Sequence, residues 1–139
     1  MSRYKKTFKK LKRKKEKALI PFTVVGDPNY KTSIQIMKSM IDNGADILEF
    51  GAFFSDPIAD GPIIQAADVR AQKAGMNTTK FFKAIKEIRS YNKEIPIGIL
   101  IYANLVFQRG IDTFYKEAKR AGIDSVLIAD LPPEEAKPF

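Results

Sequence analysis

Carboxylic acids are the side chains of this chain best suited to chemistry, because it contains no histidine and no cysteine. Acid–base catalysis is then left to Asp, Glu, Tyr or Lys, and a Cys/His zinc site or a disulfide is excluded. Three acids stand close together in the sequence, at Glu49, Asp56 and Asp60. Glu49 interrupts the apolar run of residues 47–50, where an unpaired acid is costly to bury. We therefore expect Glu49 either to have a partner or to face a cavity at the end of a strand.

The surroundings of these acids predict a buried strand followed by a loop. Residues 47–50 are typical of a strand that is covered on both faces, and Gly51 ends it. Turn-forming residues then accumulate, with Asp56 before Pro57 and Asp60 before Gly61. An acid-rich loop behind a buried strand is where α/β proteins commonly place their functional residues. Asp60 also suits the plain structural role of a turn former.

This stretch resembles a long signature of the tryptophan synthase alpha chain family. The signature covers Leu-Glu-Phe-Gly at 48–51 and Phe-Ser-Asp-Pro-Ile-Ala-Asp-Gly-Pro-Ile-Ile-Gln at 54–65. Further likeness is found at 21–22, 26–28, 102–104 and 130–135. The resemblance spans nearly the whole chain but only about the first half of the family's domain.

The resemblance implies a lyase that splits indole-3-glycerol phosphate into indole and glyceraldehyde 3-phosphate by a retro-aldol reaction. One proton must reach the indole C3 carbon and one must leave the glycerol hydroxyl. Without histidine, the natural acid–base group is a carboxyl in an apolar setting, and Glu49 lies between Leu48 and Phe50. By resemblance Glu49 is the general acid–base, and Asp60 is the second catalytic acid, which holds the indole N–H. The residue-based alternative for Glu49 is a strand-end acid paired with a lysine or a backbone amide.

An aromatic substrate needs an apolar wall, and the resemblance implies which residues build it. They are Phe22, Ile64, Leu100, Tyr102, Leu127 and Ala129. From the sequence alone these would be core residues and nothing more. Tyr102 and Asp130, at predicted strand ends, suit a structural role equally well.

The same loop is where the family meets its beta chain, so the resemblance assigns Phe53 and Asp56 to partner binding. This chain departs from the family there, because the family usually has Pro at position 53 and an aliphatic residue at position 50, where Phe50 stands. The implied assembly is an α2β2 tetramer. Pyridoxal phosphate is expected only on the beta-chain partner, and the alpha chain itself is expected to need neither a cofactor nor a metal.

Strands alternating with helices predict a parallel sheet with right-handed crossovers. Strands are predicted near 18–25, 47–50, 95–102 and 126–129, and helices near 4–17, 31–43, 64–74, from 78 onward, and 111–121. Thr32 or Ser33 is expected to cap the second helix. Four such units are half of a (β/α)8 TIM barrel, and the resemblance favours this fold. The pattern alone also allows a doubly wound sheet, although no Gly-x-Gly-x-x-Gly follows the first strand.

We predict that residues 1–139 form the N-terminal half of a single barrel domain. Residues 132–136 suit the first turn of a further helix. The family's phosphate site and closing loop lie on later strands. Two alternatives remain open: part of a chain about twice as long, or a shortened, inactive module that binds the beta chain or pairs with another half.

Positive charge is concentrated in residues 1–17, which hold ten Lys or Arg residues against Glu16 and leave the remainder of the chain nearly neutral. Such a block is typical of a nucleic-acid footprint or, more simply, of the solvated face of a helix. Tyr4, Phe8 and Leu11 recur at helical spacing, so we interpret the segment as an amphipathic helix that closes the bottom of the barrel. No nucleic acid and no membrane is expected as a partner. The expected location is the cytoplasm, because no apolar run is long enough to span a bilayer and no secretory signal leads the chain.

Overall fold

A four-stranded parallel sheet is the centre of the computed structural model, which describes all residues from Met1 to Phe139. Its strands follow in chain order, and each pairs in parallel with the next. They are β1 (Phe22–Val24), β2 (Leu48–Gly51), β3 (Ile97–Ile101) and β4 (Ser125–Ile128). The order never reverses, as it would in a doubly wound sheet. The fold is therefore α/β, and it matches half of a TIM barrel.

Six helices connect or precede the strands, and a short 3₁₀ turn follows β4. The helices are α1 (Arg3–Lys14), α2 (Tyr30–Asp42), α3 (Pro62–Lys73), α4 (Thr78–Tyr91), α5 (Ala103–Arg109) and α6 (Ile111–Ala121). The 3₁₀ turn is Pro133–Glu135, where the sequence predicts the start of a helix. No helix is both long and apolar enough to span a membrane.

The two faces of the sheet differ in burial. Leu48, Phe50, Ile97 and Ile99 are at most 1% exposed and belong to the core that packs under the helices. The side chains that point to the opposite face of the sheet are more exposed, and Leu127 of β4 is 55% exposed. Because side chains alternate across a strand, one face lies on the helices and the other is left largely uncovered. Each fully buried Leu or Phe contributes about 1.5–3 kcal/mol to this packing.

The predicted inward faces of α4 and α6 are confirmed. On α4 they are Phe81, Phe82, Ile85 and Ile88, and on α6 they are Phe114 and Ala118. The rings of Phe82 and Phe114 meet edge to face with centroids 5.5 Å apart, which joins the two helices. The helical layer thus holds the strands rigidly from one side.

The start of β3 and β4 is tied together by Asp124. Its carboxylate accepts hydrogen bonds from Arg3 and Arg89, each at 2.8 Å, and from the backbone N–H of Ile97 at 2.9 Å. Asp46, just before β2, similarly accepts a hydrogen bond from the backbone N–H of Leu19 at 2.9 Å, which joins the segments that lead into β1 and β2. Asp46 and Asp124 therefore have structural roles.

Helix α1 differs from the prediction in its end and in its inward face. It ends at Lys14 rather than Lys17, because Lys15 takes a left-handed conformation with φ of 59° and closes the helix onto Leu11 and Lys12. Leu11 is buried as predicted, but Phe8 is 49% exposed and is not on the inward face. Tyr4 hydrogen bonds to Ser125 at the beginning of β4, so α1 lies at the bottom of the sheet.

One further local expectation was wrong, and one helix was missed. The cap of α2 is Asn29, whose Oδ1 accepts the Thr32 N–H at 3.0 Å, whereas the buried Ser33 accepts the N–H of Gly26. Helix α5 was not predicted from the sequence. Its first N–H, at Ala103, donates to Asp130 at 2.7 Å, so its terminus depends on a residue beyond β4.

Candidate active site

Glu49 lies on the open face of the sheet. In the pairing register it stands between Phe22 of β1 and Gly98 of β3, and Gly98 in turn stands beside Ser125. Glu49 is partly exposed although both of its neighbours in the chain are fully buried. Its place in the pleat therefore directs Glu49 away from the helices.

Two hydroxyl groups lie below Glu49, and sequence reasoning did not find them. The Tyr4 hydroxyl is 2.8 Å from Ser125 Oγ. A Cβ atom added at Gly98 would lie only 2.9 Å from the Tyr4 hydroxyl. Burial raises the pKa of Tyr4, and the negative charge of Glu49 is among the lesser causes. Gly98 was the available signal, because glycine inside a strand often marks the close approach of another group.

The predicted apolar wall continues on the same face. Gly51, Leu100 and Leu127 are neighbours in register one layer above Glu49, and Leu100 is partly exposed. Ala129 is exposed just beyond β4, and Ile64 of α3 packs against the core as a partly buried side chain. The structure therefore brings Phe22, Leu100 and Leu127 onto the face that carries Glu49, and it places Ile64 in the helix behind the acid-rich loop.

Asp60 is held by Tyr102 across the top of the sheet. The Tyr102 hydroxyl donates to Asp60 Oδ2 at 2.7 Å and accepts the backbone N–H of Ala59 at 3.0 Å. Tyr102 is 1% exposed, so burial, helped by the bond to Asp60, raises its pKa to about 12. The phenol thus stays protonated at neutral pH and acts as a fixed donor. Tyr102 contacts the loop, which we call the acidic loop and define as residues 52–61.

Phe54 and Gln65 hold the same loop from other directions. The Phe54 ring stacks on Tyr102 with centroids 4.8 Å apart, and Gln65 Nε2 donates to the backbone carbonyl of Asp60 at 2.8 Å. Phe53 points back into the fold, where it lines a small pocket with Phe81 and Leu105. Asp56 is exposed and accepts a hydrogen bond from Ser55. Of the two predicted partner-binding residues, only Asp56 therefore lies open on the surface.

Asp68 is an acid near the site that sequence reasoning missed. It lies on the inner face of α3 between Ala67 and Ala71 and is only 3% exposed. Burial, helped by the negative charge of Asp60, raises the pKa of Asp68 from 3.8 to about 6, and the backbone N–H of Phe54 opposes the shift. The signal was available, because Ile64, Ala67, Asp68 and Ala71 follow the spacing of one helical face.

The fold and the site together define a class. Parallel strands in unbroken order, helices on one face, and acids at and beyond the carboxyl ends of the strands are the features of half a (β/α)8 barrel with a site at its top. The family model described as tryptophan synthase alpha chain matches residues 8–139. The chain belongs to the tryptophan synthase alpha chain family.

Relatives of known sequence are similar along the whole chain. The tryptophan synthase alpha chain of Shewanella oneidensis is 52% identical over 138 residues, which are 99% of this chain and 50% of that relative. The alpha chain of Vibrio cholerae is 51% identical over 139 residues, which are 100% of this chain and 52% of the relative. The chain therefore spans about half the length of the curated relatives that it matches.

Solved structures agree with the fold. The alpha subunit of tryptophan synthase from Legionella pneumophila superimposes with a TM-score of 0.93 at 38% identity, over 98% of this chain and 52% of that one. A structure from Aquifex aeolicus superimposes with a TM-score of 0.95 at 41% identity, over 99% of this chain and 54% of that one. A chain of tryptophan synthase from M. tuberculosis has a TM-score of 0.92 at 29% identity, over 99% and 55% of the two chains.

Proposed function

We propose that this chain supplies the catalytic half-site of a tryptophan synthase alpha subunit, which cleaves indole-3-glycerol phosphate to indole and glyceraldehyde 3-phosphate. The observation that carries the proposal is the pair of acids in two different settings. Glu49 stands on the open apolar face, and Asp60 is fixed above it by the Tyr102 hydroxyl. Family membership supports the reaction class.

The two acids suit different roles in the cleavage. Glu49 delivers a proton to the indole C3 carbon and takes one from the glycerol hydroxyl, so that the carbon–carbon bond breaks and the aldehyde forms. Asp60 accepts the indole N–H, for which Oδ1 is available because Tyr102 occupies Oδ2. The positive charge that grows on the ring is then met by a carboxylate that does not need to move.

The indole ring is proposed to lie against the apolar face. Phe22, Leu100 and Leu127 are on that face, and the resemblance adds Ile64, Tyr102 and Ala129 to the wall. The hydroxyl of Tyr102 is already engaged with Asp60 and Ala59, so its ring rather than its hydroxyl is left for substrate. The reaction itself calls for no cofactor or metal. Phosphate binding and exclusion of water are assigned to parts of the family's domain outside these residues.

The test is indole formation by the natural full-length chain and its Glu49→Gln variant. Glu49→Gln keeps the shape of the side chain but cannot exchange a proton, so we expect activity to fall by at least about 10²-fold while the circular dichroism spectrum is unchanged. Glu134→Gln, at an exposed acid of the 3₁₀ turn, is the matched control. Turnover retained by Glu49→Gln would contradict the proposal.

A second candidate is a module that binds the beta chain without cleaving substrate. The exposure of Asp56 on the acidic loop favours it. In that case Asp56, and Phe53 through its hold on the loop, would serve docking to a beta chain that carries pyridoxal phosphate, in an α2β2 assembly. This candidate predicts that the chain stimulates beta-chain activity and forms no indole; absence of any association would exclude it.

A further inference from the structure

Helix α1 presents a row of lysines that no acid of the fold neutralises. Lys5, Lys9 and Lys12 are exposed and follow one another at the spacing of one helical turn, so they lie along one side of the helix. None of the seven ion pairs in the structure includes them. The row lies away from Leu11, which is the buried residue of α1. We call these three lysines, together with Phe8, the lysine face.

The cations of α1 are arranged unfavourably for the helix itself. Like charges spaced four residues apart destabilise a helix, and α1 has four such pairs, which are Lys5 with Lys9, Lys6 with Lys10, Lys9 with Arg13, and Lys10 with Lys14. The first turn contains no acid, although the positive end of the helix dipole favours acids there. The dipole therefore accounts for the cations of the last turn but not for Lys5. A bound anion would relieve the repulsion.

Three acids form ion pairs with α1, and none of them reaches the lysine face. The pairs are Glu94 with Lys6, Glu16 with Lys14, and Asp124 with Arg3. Lys93 adds a further exposed cation beside the helix, because its backbone carbonyl accepts a hydrogen bond from Arg3 at 2.8 Å. The lysine face is therefore a positive surface whose counter-charge must come from outside the fold.

Phe8 lies among these lysines rather than in the core. It is 49% exposed, and it follows Lys5 by three positions and precedes Lys12 by four, so the three side chains are neighbours on the helix surface. The sequence interpretation of α1 as a solvated helix placed Phe8 on the inward stripe, and the structure does not place it there. Proteins bind single-stranded nucleic acid by stacking bases on aromatic rings while cationic side chains follow the phosphates. The lysine face offers both kinds of group.

An anionic membrane fits this surface less well. A helix that lies on a membrane needs a broad apolar face opposite its charges. The apolar side of α1 is used by the fold, since Leu11 is buried and Tyr4 hydrogen bonds to Ser125. Phe8 is the large apolar residue of α1 that remains exposed. One ring supplies little area to a membrane, whereas a single ring suffices to stack on a base.

We propose that the lysine face binds single-stranded nucleic acid, with Lys5, Lys9 and Lys12 on the phosphates and Phe8 stacked on a base. Phosphates and base rings are common to all sequences, so the binding has little sequence preference. The face belongs to the bottom of the sheet, where Tyr4 meets the beginning of β4, whereas Asp60 lies beyond the opposite ends of the strands. The proposal is therefore independent of the lyase function.

The test is the fluorescence anisotropy of a labelled oligouridylate of about 20 nucleotides, titrated with the natural full-length chain at several salt concentrations. The expected Kd is about 1–100 μM near 0.1 M salt. Each neutralised phosphate contributes about 0.7 to the slope of log K against log salt for a single strand. Combined Lys5→Gln, Lys9→Gln and Lys12→Gln should therefore reduce the slope by about 2 and weaken binding about 10- to 100-fold.

Phe8 has a separate signature in the same titration. Phe8→Ala should weaken binding about tenfold without changing the salt slope, and Phe8→Tyr should restore the affinity because it keeps the ring. Circular dichroism of each variant checks that α1 remains folded. Full affinity in Phe8→Ala would contradict the stacking, and an unchanged salt slope in the triple lysine variant would contradict the phosphate contacts.

A second triple variant controls for net charge. Combined Lys73→Gln, Lys83→Gln and Lys116→Gln removes the same charge from exposed, unpaired lysines on α3, α4 and α6, and it should keep nearly the full affinity and slope. Equal losses in the two triple variants would overturn the proposal, as would the absence of binding by the wild-type chain. Binding to vesicles that contain about 30% phosphatidylserine, without binding to the oligouridylate, would also overturn it and assign the face to a membrane.

Discussion

The buried carboxyl of Asp68 makes the fold less stable as the pH rises, which is the opposite of the effect of an acid in an ion pair. Burial is the main cause that raises its pKa from the ordinary value of 3.8 to about 6 in the fold. Between these values the unfolded chain binds fewer protons than the folded chain, so stability falls as the pH rises. Above about pH 6 the full penalty applies, and it amounts to about 3 kcal/mol.

Replacement of this acid by its neutral isostere is therefore expected to stabilise the fold. Asp68→Asn raises the free energy of unfolding by up to about 3 kcal/mol near pH 8, and the gain disappears near pH 4. Urea unfolding at both pH values measures the difference, with Glu134→Gln as an exposed control. An equal effect of Asp68→Asn at both pH values would show that burial does not shift this acid.

Tyr102 makes the second residue-scale prediction, because its hydroxyl joins the loop to the sheet. Tyr102→Phe deletes the bonds to Asp60 and Ala59 but keeps the ring that stacks on Phe54. A hydrogen bond to a charged group is worth about 1.5–3 kcal/mol, so we expect indole formation to fall about 10- to 100-fold. The measurement is kcat of the natural full-length chain.

The matched control for that substitution is Tyr91→Phe. Tyr91 also donates to a carboxylate, at 2.8 Å from Asp42, but it is exposed and lies on α4 away from the acidic loop. It should leave kcat unchanged. Equal activity of both variants would mean that the hydroxyl of Tyr102 does not position Asp60.

At the scale of elements, Asp124 joins α1, α4 and the start of β3. Asp124 and Arg89 are each 11% exposed, and Asp124 also receives Arg3 and the Ile97 N–H. Asp124→Asn leaves the Arg89 charge buried and largely uncompensated, so the free energy of unfolding should fall by about 3 kcal/mol. Chemical denaturation checks this value.

The comparison for this pair is the exposed contact between Lys6 and Glu94. The two charges are 3.6 Å apart, with side chains 57% and 77% exposed. Because such surface pairs contribute little, Glu94→Gln should change stability by at most about 0.5 kcal/mol. If the two substitutions cost the same, burial does not decide the strength of these ion pairs.

Elements that depend on local pattern were predictable from the sequence, and those that depend on distant residues were not. The apolar runs around Glu49 and Val126 gave their strands, and the spacing of Phe81, Phe82, Ile85 and Ile88 gave α4. Helix α5 was not predicted, because the acceptor for its first N–H is Asp130, which is 27 residues away in the sequence. The contact of Tyr4 with Ser125 joins residues 121 positions apart, and no local pattern encodes it.

The site shows the same division. For Glu49 the sequence left two possibilities, a partner or a cavity at the end of a strand, because an unpaired buried acid is costly. The bond from Tyr102 to Asp60 could not be predicted, since it requires the acidic loop to fold back over the end of β3. Asp68 was missed although its spacing from Ile64, Ala67 and Ala71 places it on the apolar face of α3, and its 3% exposure shows that it is buried there.

At the scale of the whole molecule, the four strands leave one face and two edges of the sheet uncovered. β1 and β4 each pair on one side only, and the open face carries Phe22, Leu100 and Leu127, of which Leu127 is 55% exposed. Unpaired parallel edges beside an apolar face promote association. We therefore expect residues 1–139, when produced without any further residues, to self-associate as their concentration rises.

Sedimentation velocity over a range of concentrations tests this expectation, and two matched substitutions locate the contact. Leu127→Glu places a charge on the open face and should shift the distribution towards the monomer of 15.7 kDa. Ile58→Glu changes a residue that is 84% exposed in the acidic loop rather than on a strand, and it should leave the association as it is. If residues 1–139 stay monomeric at all concentrations, the open apolar face does not drive association, and this prediction is wrong.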